Sequence, residues 1–127
     1  MSKISKIREL VVIFCVLILM RGIVSYAADA TVLLYADQES ASSSSIAVTN
    51  DNITVWGSVS SISEFQVHFI VPNGPYNTAF DKTYAPGESF PAIDRSVYYA
   101  SSTNLNLYGN SKDDPKKGCI ASGGIAD

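Results

Sequence analysis

Apolar and polar residues alternate along much of the chain after residue 30, the period of a strand with one dry and one wet face. The alternation is cleanest from residue 53 to residue 71. Ile53, Val55, Gly57 and Val59 form one row and Phe65, Val67, Phe69 and Val71 another, with Thr54, Trp56, Ser58, Gln66, His68 and Ile70 on the opposite phase. The break at Ser61-Ile62-Ser63 suggests a turn centred on Ile62. A hairpin so centred sets Ile53 against Val71, Val55 against Phe69, Gly57 against Val67 and Val59 against Phe65, with Trp56 opposite His68 on the other side. A one-residue slip of either arm would set its apolar row against polar residues, so this register is the expected one. Gly57 is expected to mark a bulge or a place where Phe65 or Phe69 leans over the backbone.

Weaker alternation supplies the other elements. Residues 31–36 form an apolar first strand, 37–45 a serine-rich polar loop, and 46–48 a short second strand before an Asn-Asp turn at 49–52. Pro72-Asn73-Gly74-Pro75 ends the second arm of the hairpin, because two prolines and a glycine cannot continue a paired strand. Residues 76–84 are a further strand. Ala85-Pro86-Gly87-Glu88 has Pro at the first corner and Gly where positive φ is needed. Residues 89–95, with Phe90-Pro91, read as an irregular connection; 96–100, 104–108 and 119–122 read as strands, and 109–118 as a polar turn. The last residues, Gly123-Gly124-Ile125-Ala126-Asp127, are expected to fray. Seven or eight short strands with turn signals between them predict an all-β fold, a small antiparallel β-sandwich. The expected core is Val32, Leu34, Ile46, Val48, Ile53, Val55, Val59, Phe65, Val67, Phe69, Val71, Phe80, Val97, Tyr99, Leu105 and Leu107.

The first thirty residues follow a different pattern. Lys3, Lys6 and Arg8 precede an unbroken apolar run of 11 residues, Leu10 to Met20, closed by Arg21 and followed by small residues. Such a run is shorter than the ~20 residues a membrane-spanning helix needs. Basic start, short apolar centre and Ala-x-Ala-like end predict a secretory signal peptide, 1–27, as a helix ahead of a single domain, 28–127. Cleavage after Ala27 and after Ala30 both satisfy the small-residue rule. The expected address is therefore secreted, extracellular, with the membrane met only in transit.

Removing the leader changes the charge. Of 9 basic and 12 acidic side chains, Lys3, Lys6, Arg8, Arg21 and Glu9 leave with it, so residues 28–127 carry five basic and eleven acidic groups, a formal net of −6. An acidic surface without a basic stripe argues against nucleic acid as a partner. Cys15 lies in the leader, so Cys119 is left alone and no disulfide can form within the domain. It is expected to be buried, to pair with a second chain or to stay free.

Candidate chemistry is sparse. His68, the single histidine, stands near Gln66 and Glu64 on one strand face. A histidine beside a carboxylate can act as an acid–base pair, but hydrolysis also needs a nucleophile and an oxyanion site. The carboxylate pairs Asp37/Glu39 and Asp113/Asp114 lack any fixed separation across a cleft. The 50–52 turn and the 110–114 loop hold calcium-type oxygen donors without a full ligand pattern. No metal or other cofactor is expected.

The aromatic residues are more informative. Trp56, with Ile70 diagonal to it and His68 opposite, would place apolar surface on a wet face, unless a second sheet or a loop covers that face and Trp56 is core; Tyr98 and Tyr108 fall on the outward phase of their strands. Together these five suggest an aromatic contact face for another protein or a surface carbohydrate. The expected function is a small secreted, non-catalytic binding protein. Alternatives are a secreted antimicrobial or toxin-like factor, a structural cell-surface component, and a very small hydrolase using His68.

Overall fold

The computed structural model, which describes residues 28–127, has ten strands where seven or eight are expected, because short polar segments at 40–42 and 102–103 also pair; the expected leader helix lies outside the described residues. The strands are β1 (Ala30–Leu34), β2 (Ser40–Ser42), β3 (Ile46–Ala47), β4 (Asn52–Val59), β5 (Val67–Pro72), β6 (Thr78–Tyr84), β7 (Ser89–Ser96), β8 (Ser102–Thr103), β9 (Asn106–Gly109) and β10 (Ala121–Ala126). All pairings are antiparallel. One sheet has the order β1-β10-β4-β7, the second β2-β9-β5-β6, and β3 with β8 makes a small third ribbon. The fold is all-β and sandwich-like, because the dry rows of both four-stranded sheets enter one core.

The expected β4–β5 hairpin does not form. β4 pairs with β10 and β7, whereas β5 pairs with β6 and β9, so the two arms belong to different sheets. The connection, residues 60–66, arches from one sheet to the other. It is pinned to the segment before β10: Ser60 N donates to Ile120 O at 2.9 Å, Glu64 N to Gly118 O at 3.0 Å, and Ile120 N to the buried Ser63 Oγ at 3.1 Å. Alternation names the dry face of a strand but not its neighbour, and here the two apolar rows meet across the core instead of side by side. The hairpin lies one strand later. Gly74, at φ +78°, turns the chain between β5 and β6.

The arch explains the core. Phe69 of β5 is fully buried, and its Cε2 would lie 2.7 Å from a Cβ placed on Gly57 of β4. The expectation that Phe69 leans over Gly57 is met, but from the opposite sheet. Around it, Phe69 meets Phe90 edge-on at 5.1 Å and Tyr84 at 5.7 Å, while Phe90 stacks on Tyr84 at 4.5 Å and on Phe80 at 5.2 Å. Such pairs contribute about 0.5–1.5 kcal/mol each beyond burial.

Three further expectations are corrected. Residues 89–95 are strand, not an irregular connection: β7 is an edge strand whose register shifts beside Trp56, which is where Pro91, lacking an N–H, is tolerated. Residues 121–126 do not fray; β10 runs between β1 and β4, its glycines admitting Leu105 of the core at Gly123 and the Trp56 ring at Gly124. Tyr99, expected in the core, is 68% exposed, while Val97 beside it is buried. The expected Pro-Gly turn is present: Glu88 N donates to Ala85 O at 3.0 Å, and Gly87 has φ +85°.

Candidate functional site

The five residues singled out from the sequence fall in three places. Trp56 is on the outer phase of β4, opposite Gly124 of β10. A Cβ on Gly124 would lie 2.4 Å from Trp56 Cζ2, so the indole lies across the β10 backbone at a position only glycine permits. Trp56 is 4% exposed. It is buried, and the expected apolar surface around it is not displayed.

His68, Ile70 and Tyr108 are brought together on the outer face of the second sheet, where His68 is opposite Tyr108 and Ile70 opposite Asn106. The pairing of Trp56 with His68, and its diagonal contact with Ile70, are overturned by this register. Ile70 is itself buried at 5% exposure, with Asp81 of β6 on its other side. The surrounding surface is polar and internally bonded. Ser42 Oγ donates to Asn106 Oδ1 at 2.6 Å, and Asn104 and Asn106 exchange side-chain hydrogen bonds at 3.2 and 3.3 Å.

His68 is held by both ring nitrogens. The Lys112 backbone N–H donates to Nδ1 at 3.1 Å, which makes Nδ1 the acceptor and places the ring proton on Nε2. Nε2–H then donates to Asp81 Oδ1 at 2.5 Å. Tyr108 flanks the ring with centroids 6.4 Å apart. In this tautomer the lone pair that a general base would use is taken by the Lys112 amide. The histidine therefore clasps the 110–118 loop onto the sheet.

That loop also uses its oxygen donors internally. Asn110, at φ 67°, donates from Nδ2 to Asp114 O at 2.9 Å, and Asp114 N donates to Ser111 Oγ at 3.0 Å. The Asn-Asp turn at 50–52 places Asp51 at φ 57°, the left-handed geometry its residue type tolerates. Among the described residues, no three His, Cys, Asp or Glu side chains are grouped so as to hold a metal ion. Cys119 is fully buried and, among the described residues, a free thiol, its Sγ 3.5 Å from Phe65 O.

Tyr98, expected on the outward phase of a strand over 96–100, lies instead in the loop after β7, which ends at Ser96; this is the third place, the end of the sandwich where β5 turns into β6. Tyr98 is 67% exposed and Tyr99 68%, while Tyr76, in the β5–β6 turn, is 93% exposed. The two loops that carry them are fastened together. The buried Asn73 accepts the Tyr99 N–H on its Oδ1 at 2.9 Å, and Asn73 N donates to Asn77 O at 2.8 Å. Gly74 sits so close that an added Cβ would lie 2.8 Å from Tyr99 O. Val97, wholly buried, anchors the second loop from below, its N–H donating to Asp51 O at 2.8 Å. Neither loop, 73–77 or 97–101, contains a charged residue. Sequence reading missed Tyr76 and Tyr99. The available signals were a large aromatic inside the turn cluster 72–77, and two adjacent tyrosines, which alternation forbids from both pointing inward.

Compared with protein-family models, with curated proteins and with solved structures, the chain matches none.

Proposed function

We propose that the chain is a small secreted, non-catalytic binding protein that holds a neutral carbohydrate polymer at the sandwich end bearing Tyr76, Tyr98 and Tyr99. The observation that carries this reading is the exposure of three phenol rings on two uncharged loops that a buried asparagine locks together. Tyr76 lies almost wholly in water, and Tyr98 and Tyr99 keep about two thirds of their surface there, so none of the three is part of the core. They offer flat apolar faces with a polar tip at little cost in side-chain entropy on binding. A pyranose presents the complement, a C–H face for stacking and hydroxyls at its rim. The absence of charge on both loops, within a domain of net −6, favours a neutral polyhydroxyl ligand over an anionic one. The clasp on His68 supports a binding protein over the hydrolase alternative, since the ring would have to release the 110–118 loop before it could take a proton.

The test is co-sedimentation of residues 28–127 with the neutral insoluble polymers cellulose and chitin. The expected result is retention on at least one of them, reduced roughly tenfold or more, the scale of a lost aromatic anchor, by combined Y76S, Y98S and Y99S. These side chains are exposed, so the thermal midpoint should hold. Retention by none of the polymers, or equal retention of the variant, contradicts the proposal.

A further inference from the structure

The leader read from residues 3–30 has two candidate cleavage points, and the first strand distinguishes them. We infer that processing leaves Ala28 as the first residue of the secreted protein, and that the alternative, cleavage after Ala30, is not used. The inference rests on the expectation that residues 1–27 are a signal peptide; it adds where that leader is removed and why.

A cut after Ala30 would remove part of β1. Ala30 is 7% exposed, belongs to the core and is paired with Ile125 of β10. Asp29 extends the ladder by one bond, its N–H donating to Ile125 O at 3.1 Å. Its side chain also closes the end of β10: Asp29 Oδ2 accepts the Asp127 N–H at 2.7 Å. Asp127 in turn accepts from Thr49 N at 2.9 Å and Thr49 Oγ1 at 2.5 Å, so Asp29 starts a chain of bonds that ties β1, β10 and the turn before β4. Cleavage after Ala30 would discard Asp29 and Ala30, leave the Ile125 carbonyl and Asp127 amide without these partners, and open one end of the core.

Cleavage after Ala27 preserves all of these contacts. Ala28 is exposed and lies before the first strand, so a new terminus there disturbs no pairing. The Ala30–Thr31 bond lies within β1, whereas Ala28 lies outside it. Small residues at both points satisfy a peptidase; only one product retains the whole strand.

The test is to express residues 1–127 in a bacterial host, collect the exported protein and determine its first residue by intact mass and N-terminal sequencing. Ala28 is expected, and Thr31 overturns the inference. A chain of full length instead refutes the leader itself, and the inference with it. A second measurement examines the physical reason. Chains beginning at Ala28 and at Thr31, made without a leader, are compared in thermal unfolding. Loss of the Asp29 bonds and the Ala30 contact should lower the midpoint of the shorter chain by roughly 5–10 °C. Equal midpoints would refute the claim that Asp29 and Ala30 belong to the fold. Neither result bears on the tyrosine surface, so this inference and the proposed binding role can fail separately.

Discussion

Gly57→Ala, alone and with Phe69→Leu, examines the arch between the sheets. Gly57 lies on the dry face of β4, and a Cβ there would stand 2.7 Å from Phe69 Cε2, 2.9 Å from Phe90 Cε1 and 3.0 Å from Phe90 Cζ. Carbon atoms pack at about 3.5–4.0 Å, so the methyl falls short on two sides at once. Neither ring can retreat freely. Phe69 touches Tyr84 as well as Phe90, and Phe90 is stacked between Tyr84 and Phe80. Overpacking of this kind costs about 1–3 kcal/mol, offset by roughly 0.5–1 kcal/mol from replacing glycine in a strand. The expected net loss is ~1–2 kcal/mol, read as a lower urea midpoint with unchanged slope. Phe69→Leu removes Cε2 and is destabilising alone, but it makes room for the methyl. The double variant should therefore be more stable than the sum of the single losses predicts, by ~1 kcal/mol. Additivity within ~0.5 kcal/mol would mean that Gly57 and Phe69 do not touch, and would refute the facing arrangement of β4 and β5.

Three other outcomes follow from the same contacts. His68→Ala should speed amide exchange at Lys112 without affecting β5 or β9, because the ring nitrogen that receives that N–H is lost; unchanged exchange would show that the 110–118 loop needs no clasp. The Thr49 hydroxyl first, and then its backbone N–H, hold the Asp127 carboxyl below its ordinary value. A carboxyl depressed by folding favours the folded state above its unfolded value and loses that contribution as pH falls through the folded one. Acid should therefore lower the protection of the Thr49 amide relative to its intrinsic exchange rate, which acid itself slows, and Thr49→Val should move the Asp127 titration upward; an unmoved titration would rule out the hydroxyl as the cause. Cys119, fully buried, should remain monomeric on a non-reducing gel and react with a thiol reagent only as fast as the domain opens, whereas a disulfide-linked dimer would contradict its position.

Much of this fold was legible because period-two alternation reports burial directly. Val55, Val67, Phe69, Val71, Leu105 and Leu107 were placed in the core from phase alone, and all are wholly buried. Pairing was not legible in the same way. A hairpin and an arch both bury the rows of β4 and β5, so alternation cannot separate them; turn chemistry could have. Ser61-Ile62-Ser63 lacks the glycine or asparagine of a tight hairpin turn, whereas Asn73-Gly74 has both and marks the hairpin that forms. β10 was hidden because Gly123 and Gly124 resemble a loose tail in isolation. Their value comes from partners distant in sequence, Leu105 and Trp56, which occupy the space a side chain would take. The surface was the least legible part. Alternation leaves Trp56 open to two readings, a displayed contact or core packing, and it is buried over a glycine, while Tyr76 stands inside a turn signal that marks the strand stop but says nothing of a surface.

The binding surface is tested most directly by following backbone amide resonances of residues 28–127 during titration with a soluble oligosaccharide of whichever polymer retains the protein. The largest shifts should fall in loops 73–77 and 97–101, with the ring protons of Tyr76, Tyr98 and Tyr99 moving in step. Shifts centred instead on His68 and Tyr108, or on the β4–β10 face over Trp56, would contradict the assignment of the contact to the end of the sandwich.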